Sequence, residues 1–572
     1  MTMPIMYPLL VAVASFFSGA SGEFTDVTAA VGLGPEATGG PVTRCLFADL
    51  DGDGWDDIIV NRQQVWLSRP DTASPIGRAF VRLDDAGLET PQRGTLRVFA
   101  DLDEDGVLDA ITCERAEASA ARTRWQRGRG DGTFLAATLL PVLPRPTIAI
   151  AVGDVDRDGH LDLYLGHDYR GRGTYEGYAN ELWLGDGAGA FRRVELPEAR
   201  QQFERNGDAA GRPTYGVAMI PDWHTPGTVA LLELGYGRRW NRVWSRDASG
   251  DWVDRARAWG IDGDAVRHGR HPAWLAERAR TDARFARSDE PPFRANGNTF
   301  DTDVADIDGD GHLDLLLTEI AHAWAGASSD RTRVLYWDPQ REGMVDRTRA
   351  ALPREHAAER SWNEGDLFGA LVDVDHDGRC DVIISSGDYP DDQRLRFFHQ
   401  QSDGTFEDVT SALGIDHDGS QMLSLADVDR DGDLDVLVGQ SFNRYSAEQR
   451  AGRTPTLALL RNDAAQPGTS IVLELDAADC PGVHRDALGA IVTAELPGGR
   501  LVRRVLTGIG GHAGKQHAFP VILGVGAVEH VEVTIEWPGA GIPVDQHHAV
   551  APGRYRARPG AELEPVAAGS VP

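Results

Sequence analysis

Aspartates recur along this chain in a pattern that suits the binding of a hard metal ion. Six segments read Asp-x-Asp-x-Asp-Gly-x-x-Asp. When such a segment curls, the carboxylates at positions 1, 3, 5 and 9 and the backbone carbonyl at position 7 can converge on one cation. The glycine at position 6 permits the sharp turn. An all-oxygen ligand set in a flexible loop suits calcium better than zinc or copper. The sequence therefore predicts about six calcium ions, mainly structural, bound by Asp49, Asp51, Asp53, Trp55, Asp57, Asp101, Asp103, Asp105, Val107, Asp109, Asp154, Asp156, Asp158, His160, Asp162, Asp306, Asp308, Asp310, His312, Asp314, Asp373, Asp375, Asp377, Arg379, Asp381, Asp427, Asp429, Asp431, Asp433 and Asp435.

Two other kinds of acidic loop fit these segments less well. An EF-hand needs a glutamate at position 12 and flanking helices, and none of the six segments has that glutamate. A solvated acidic turn without metal is the second alternative, but four like charges within nine residues repel one another unless a counter-ion is present.

Short apolar runs flank the loops, such as 45–48 before the first and 58–60 after it. Runs of this length, rich in β-branched residues and bounded by turn residues, indicate strands. The first aspartates of successive loops are 52, 53, 152, 67 and 54 residues apart, and a period near 50 is typical of propeller blades. The longest gap contains strand-like segments at 228–233 and 241–244. Their loop, 222–227, has lost its carboxylates, and we expect that blade to be free of metal.

The chain start supplies a closing strand. Residues 24–32 nearly copy residues 406–414, which end the sixth blade, whereas no such segment follows Leu457–Leu460 in the last blade. The N-terminal strand is therefore predicted to complete the last blade, which removes a free sheet edge.

Composition excludes some partners. The formal net charge of −31 argues against nucleic acid and against anionic membrane surfaces as partners, since both attract clustered cations.

The start of the chain resembles an export signal. Residues 5–17 are apolar and lead into small residues at 18–22, which predicts a signal peptide at 1–22; the alternatives are an uncleaved anchor and a misassigned start. The apolar run is too short for a stable membrane span. The four cysteines lack zinc-site spacing, so disulfides and buried free thiols both stay open.

Several motifs resemble known repeat families. The loops, together with the Gly-x-Phe endings at 130–134 and 402–406, resemble FG-GAP/VCBS repeats, whose loops are similar to those of integrin α-subunit propellers. The segments LGAIV (488–492), TGIG (507–510), LGVG (523–526) and VTIEWPG (533–539) resemble an ASPIC/UnbV domain. The whole resembles bacterial relatives of the cartilage acidic protein family. One departure is the loop at 511–517, which lacks that family's aromatic residue and serine after the glycines. The resemblance implies calcium binding and an extracellular setting, and no established reaction.

Together these patterns predict an all-β protein. A seven-bladed β-propeller with integrin-like calcium loops is expected over 23–466, with an arginine-rich insertion at 262–296. A small ASPIC/UnbV-like β-sandwich domain at 467–559 and a flexible tail at 560–572 follow.

The predicted function is that of a secreted, periplasmic or cell-surface protein that is not catalytic and acts in binding, adhesion or scaffolding. Its partner would be a protein or glycan ligand at the propeller face. The alternative is an exported enzyme, hydrolytic or metal-assisted, with its site at the propeller mouth or in the C-terminal domain, which carries His512, His517, His547 and His548. A deep polar pocket at a channel mouth would favour the enzyme, and a flat or plugged mouth would favour binding.

Overall fold

A computed structural model describes residues 24–34, 38–89, 96–115, 120–171, 176–197, 211–290, 297–354, 363–387, 394–463 and 469–566. The predicted signal peptide at 1–22 and the last part of the predicted tail lie outside these residues.

The regular structure of the N-terminal part is almost entirely β. Its strands are β1 (Phe24–Asp26), β2 (Cys45–Ala48), β3 (Asp57–Val60), β4 (Gln64–Pro70), β5 (Arg78–Arg82), β6 (Leu96–Ala100), β7 (Asp109–Cys113), β8 (Thr123–Gln126), β9 (Thr138–Leu139), β10 (Thr147–Gly153), β11 (Asp162–His167), β12 (Glu181–Gly185), β13 (Phe191–Val194), β14 (Thr214–Pro221), β15 (Val229–Gly235), β16 (Arg242–Arg246), β17 (Trp252–Asp254), β18 (Thr299–Ala305), β19 (Asp314–His322), β20 (Arg333–Asp338), β21 (Gly343–Asp346), β22 (Asn363–Val372), β23 (Asp381–Ser386), β24 (Leu395–Gln400), β25 (Phe406–Asp408), β26 (Ser420–Ala426), β27 (Asp435–Gln440) and β28 (Leu457–Asn462).

The helices are short. They are α1 (Ala273–Ala279), α2 (Thr348–Ala351) and α3 (Ala447–Arg450), with 3-10 turns at Ala283–Phe285 and Ala323–Ser328. In the arginine-rich insertion, α1 is followed by the separate 3-10 turn Ala283–Phe285. Among the described helices, none combines the length and apolar character needed to cross a lipid bilayer.

Consecutive strands pair in antiparallel sets of four. The sets are β2–β5, β6–β9, β10–β13, β14–β17, β18–β21, β22–β25, and β26–β28 with β1. We call them units one to seven in this order. The first strand of a unit, such as β10 or β26, is buried along its whole length, which explains its continuous apolar sequence. The chain is a β-propeller, as the sequence predicts.

The closing strand lies where the sequence places it. Strand β1 pairs with β28 through Phe24↔Asn462, Thr25↔Arg461 and Asp26↔Leu460. Unit four, which has lost its acidic loop, likewise has its strands β15 and β16 close to the expected positions.

The C-terminal domain contains two small sheets. Its strands are β29 (Ser470–Leu475), β30 (Ile491–Glu495), β31 (Leu501–Val505), β32 (Ile509–His512), β33 (Lys515–Gln516), β34 (Val521–Gly524), β35 (Val531–Glu536), β36 (Asp545–Val550), β37 (Gly553–Ala557) and β38 (Glu564–Pro565). One sheet has the order β34-β29-β37-β38, and β31-β30-β35-β36 forms the other. Leu473, Val492, Leu523 and Ile535 from both sheets share one buried cluster. Because β38 pairs with β37, the domain extends past the boundary expected at 559, and the tail is not loose from residue 560.

The closure of unit seven can be tested at Phe24. Its side chain is 7% exposed, and its ring centroid lies 5.0 Å from that of Phe397 in unit six. Phe24→Ala should therefore lower the free energy of unfolding by about 3–5 kcal/mol, because it leaves a cavity between two units. Chemical denaturation measures this, with Val81→Ala (54% exposed) as the control. Equal midpoints for the two variants would contradict the closure.

Candidate metal centres and the plugged channel

The six acidic loops share one hydrogen-bonded framework. We number them one to six: 49–57, 101–109, 154–162, 306–314, 373–381 and 427–435. In loop four, the Asp306 carboxylate accepts hydrogen bonds from the backbone N–H groups of Gly309 (2.7 Å) and Gly311 (2.8 Å). Asp310 accepts one from the N–H of His312 (2.9 Å). The first aspartate accepts from the glycine at position 6 in all six loops, so the curl inferred from spacing is present.

The ninth aspartate has a structural role that the spacing did not reveal. In loop four, Asp314 accepts hydrogen bonds from the N–H of Ile307 (2.8 Å) and from that of Trp337 (2.9 Å), on the third strand of the unit. The other loops repeat both bonds. The second donors are Ser68, Gly185, Gln400 and Asn462 on the third strands, and Gly128 just after β8. This aspartate therefore ties each loop to the sheet, whether or not it also binds a cation.

The third aspartate offers an oxygen atom with no partner. In three loops an arginine forms a salt bridge with the Oδ2 atom of the third aspartate, at 2.7–2.8 Å. These aspartates are Asp51, Asp103 and Asp308. The other oxygen, Oδ1, is buried and lacks a hydrogen-bond partner in these three residues and in Asp375. A buried carboxylate oxygen without a partner is unfavourable. A cation inside the loop would satisfy it.

The carboxylates also converge. Oxygen atoms of Asp101, Asp103 and Asp109 lie within 4.8 Å of one another, and the equivalent residues of loops three and four do the same. Burial, reinforced by the neighbouring aspartate charges, raises the pKa of Asp306 to about 6 and that of Asp314 to about 8. The donor set, all oxygen and partly unsatisfied, fits a hard divalent cation such as calcium.

Backbone strain accompanies the curl. Position 6 has a positive φ, as the glycine predicts, for example 90° at Gly311. Position 4 is also left-handed, although four loops carry a side chain there: Glu104, Arg157, His376 and Arg430, with φ between 56° and 63°. Such residues cost about 1 kcal/mol each, and the sequence pattern gave no sign of them.

A histidine beside loop five was not predicted from the sequence. His399, on β24, has Nδ1 3.1 Å from Asp381 Oδ1 and 3.9 Å from Asp375 Oδ2. Burial lowers its pKa, but the hydrogen bond to Asp381 and the nearby carboxylates outweigh this and raise it to about 9. A protonated imidazole therefore offsets part of the negative charge of loop five.

In unit four the protein itself satisfies the aspartate at the start of the degenerate loop. The Asp222 carboxylate accepts hydrogen bonds from the N–H groups of His224 (2.8 Å) and Thr225 (3.1 Å) and from the Ser245 hydroxyl (2.5 Å). Both of its oxygens are satisfied by the protein itself. That this unit is free of metal stays a prediction.

The C-terminal domain lies on the acidic loops. Loops two to six each form a hydrogen bond with it. In loops two, four, five and six, the backbone carbonyls of Asp101, Gly311, Gly378 and Gly432 bond to the side chains of His484, Arg503, Arg500 and Ser470, respectively. In loop three, the Arg157 side chain donates to the carbonyl of Pro538. Four of these bonds use loop carbonyls, so the docking surface depends on the backbone conformation of the loops.

One hairpin of this domain fills the propeller channel. We call residues 507–519, which include β32 and β33, the plug. It pairs with β10 at Val152↔Ile509 and with β14 at Gly216↔His512. Gln516 hydrogen-bonds to both backbone groups of Phe99, each at 3.0 Å. The plug also reaches units five to seven through Asp301, Gly369 and Ser424.

Lys515, the only lysine of the chain, anchors the plug. It is 5% exposed, and its Nζ donates hydrogen bonds to Asp301 Oδ2 (2.7 Å), Thr302 O (3.2 Å) and Gly369 O (2.6 Å). Asp301 Oδ1 accepts a further bond from the N–H of His512 (2.9 Å). Gly511 is required beside this pair, since its φ is 68° and an added Cβ would lie 1.8 Å from Asp301 Oδ1.

Three of the four candidate histidines of the C-terminal domain, His512, His517 and His548, have different partners. The Nδ1 of His512 is 2.8 Å from Tyr215 O, and burial lowers its pKa to about 3. His517 accepts a hydrogen bond from the N–H of Leu425 (3.1 Å). His548 is exposed and contacts Glu532. Their different partners do not support a shared metal site.

A cavity of about 560 Å³ lies between loop one and the C-terminal domain. Trp55, Asp56, Arg430, Arg554 and Phe519 are among the residues that line it. Arg430 lies over the Trp55 ring, with its guanidinium carbon 4.1 Å from the ring centroid. Burial and the charge of nearby Asp49 raise the pKa of Asp56 to about 7.

Comparison with known protein families supports the repeats predicted from the sequence. A model of the FG-GAP-like repeat matches residues 101–165 and 373–438, which contain acidic loops two, three, five and six. This chain therefore carries FG-GAP-like repeats within its β-propeller. No curated protein matches the sequence.

Solved structures similar to this chain have low identity. An Agrocybe aegerita lectin that recognises non-reducing terminal N-acetylglucosamine is 16% identical, with 64% of this chain and 79% of the lectin covered and a TM-score of 0.37. A Lactobacillus plantarum protein is 12% identical (74% and 96% covered, TM-score 0.38). Trypanosoma rangeli sialidase is 11% identical (92% and 93% covered, TM-score 0.32). Similarity at this level carries no conclusion about function.

The anchoring role of Lys515 is testable. Lys515→Met would leave the Asp301 carboxylate buried without its cation and should lower the free energy of unfolding by about 3–5 kcal/mol. The double variant Lys515→Met/Asp301→Asn removes both charges and should recover much of this loss. Urea denaturation measures both variants. Arg284→Met is the control, because Arg284 is 86% exposed and should not change the midpoint. A Lys515→Met midpoint equal to that of the control would contradict the anchor.

Proposed function

We propose that this FG-GAP-repeat β-propeller is a secreted or periplasmic calcium-binding protein that acts by binding or scaffolding rather than by catalysis. The observation that carries the proposal is the state of the acidic loops. They bury carboxylate oxygens without partners and at the same time support the C-terminal domain.

Calcium would act mainly as a structural ion. Extracellular calcium modules bind with dissociation constants of about 10⁻⁴–10⁻³ M, so loops of this kind would be near saturation outside a cell. Six divalent ions bring twelve positive charges, which would change the formal net charge from −31 to −19. Arginines at the outer oxygens of the third aspartates leave the inner oxygens for the ion.

The plug supports a role without catalysis. Lys515 and Gln516 fill the channel, and their polar groups are hydrogen-bonded to the propeller. A substrate site inside the channel itself would have to displace the plug. His512, His517 and His548 also offer the enzymatic alternative no shared site, since their partners differ. We further propose that the C-terminal domain is of the ASPIC/UnbV type, on the glycine-bearing segments noted above.

The cavity beside loop one is the proposed ligand site. Its volume of about 560 Å³ is within the range of ligand pockets. Asp56 and the arginines supply hydrogen-bond acceptors and donors, while Trp55 and Phe519 add aromatic surface. This mixture suits a polar, neutral ligand, such as a glycan or a loop of a partner protein.

Chelation tests the proposal. Each site should stabilise the folded state by about 2.7 kcal/mol when calcium is a hundredfold above its Kd. A chelator should therefore lower the melting temperature of the wild-type protein strongly, and magnesium should restore it poorly, because it requires a tighter octahedron. Differential scanning fluorimetry with and without calcium measures the effect.

Two variants separate calcium binding from ordinary structural loss. Asp308→Ala removes an oxygen without a partner and should reduce the calcium-dependent rise in melting temperature. Asp222→Ala breaks hydrogen bonds in the metal-free unit and should lower the melting temperature equally with and without calcium. An unchanged melting temperature in chelator, with calcium shown to be gone, would refute the structural role.

A further inference from the structure

Three arginines meet at the end of the channel opposite the acidic loops. Arg44 directly precedes β2, Arg62 follows β3, and Arg97 lies on β6. Together with Ala513 at the tip of the plug they line a crevice of about 10 Å³. Positive charge is therefore concentrated at one point of a protein whose net charge is −31.

Of the carboxylates that the structure describes, only the more distant charge of Glu89 acts on this group, through Arg97. Among the described residues, Arg44, Arg62 and Arg97 form no salt bridge, whereas nearby Arg115 is paired with Asp168 at 2.5 Å. Arg97, which is 2% exposed, donates to Thr112 Oγ1 (2.7 Å) and to the carbonyls of Arg62 and Glu89. Its donors are thus engaged by neutral oxygens.

Arg44 and Arg62 each have an N–H group that donates to no acceptor in the described part of the protein. Arg44 donates from one terminal nitrogen to Thr43 O (2.8 Å), and its guanidinium carbon lies 5.7 Å from the centre of the Phe368 ring. The Nε atoms of both arginines are buried and have no hydrogen-bond partner. Two buried cationic N–H groups in one crevice are unfavourable unless an acceptor is present.

The pKa values of Arg44 and Arg97 reflect the crowding of these positive charges. Burial, followed by repulsion from Arg62, lowers the pKa of Arg44 to about 9 and that of Arg97 to about 10. Both side chains still carry their charge at neutral pH, so the repulsion acts on the folded protein.

The backbone at Arg62 is strained. Arg62 has φ 74° and follows Asn61 at φ 50°. In a tight turn of this kind the second position favours glycine. An arginine there, with a buried Nε that has no partner, is an unfavourable local choice of the sort that often accompanies a functional site.

We propose that this crevice binds a small anion of the size of chloride. The crevice is narrow, about 10 Å³ in volume, and this size favours a single-atom anion over sulfate or phosphate. The anion would accept hydrogen bonds from Arg44 and Arg62 and would neutralise part of the charge between units one, two and seven and the tip of the plug. The proposal does not depend on calcium.

The test compares salts at equal ionic strength, with calcium present throughout. Chloride should raise the melting temperature of the wild-type protein by about 2 °C or more over gluconate, which is too large to enter. Sulfate should behave like gluconate. In crystals grown with bromide, an anomalous peak should lie within hydrogen-bonding distance of the Nε atoms of Arg44 and Arg62.

Arg62→Gly is the informative variant, because it removes the cation and also relieves the left-handed strain. It should fold and be at least as stable as the wild type in gluconate, and it should lose the response to chloride. Arg284→Met, which changes an exposed arginine, should keep that response. No difference between chloride and gluconate, an unchanged chloride response in Arg62→Gly, or a bromide peak only elsewhere would each overturn the proposal.

Discussion

The structure depends on how repulsion within six groups of aspartates is balanced. Each loop draws four carboxylates together, and the backbone N–H groups that they accept satisfy only some of their oxygens. The first aspartates of loops two to six are buried, for example Asp101 (1% exposed) and Asp306 (2%). Arginines reach the outer oxygens, but the inner oxygen of the third aspartate is left without a partner in four loops. A cation at the centre of the loop is the simplest way to balance these charges.

The balance matters beyond the loops because other elements are built on them. The ninth aspartates tie the loops to the third strands of their units. The carbonyls of the loops receive side chains of the C-terminal domain. That domain in turn sends the plug into the channel, where Lys515 meets Asp301. A change in loop conformation would therefore be transmitted to the docking surface and to the plug, and calcium would stabilise both parts of the protein.

Local features of this architecture could be predicted from sequence, because a loop motif and its flanking strands are set by neighbouring residues. The position of β1 was also predictable, since its sequence repeats that of 406–414. The plug was not predictable, because it depends on contacts between residues far apart in the chain, such as Lys515 and Asp301. The single lysine was a visible signal, but composition alone suggested no role for it. His399 was missed for a similar reason: it lies on the strand opposite loop five, 18 residues after Asp381.

Direct counting of bound calcium tests the central claim. Equilibrium dialysis of the full chain against radioactive calcium, up to millimolar concentrations, gives the number of ions bound at saturation. Saturation at about six ions per chain, one for each acidic loop, is the result that the structure predicts. Saturation at one ion, or no saturable binding, would show that the arginines and backbone hydrogen bonds are enough to hold these carboxylates together.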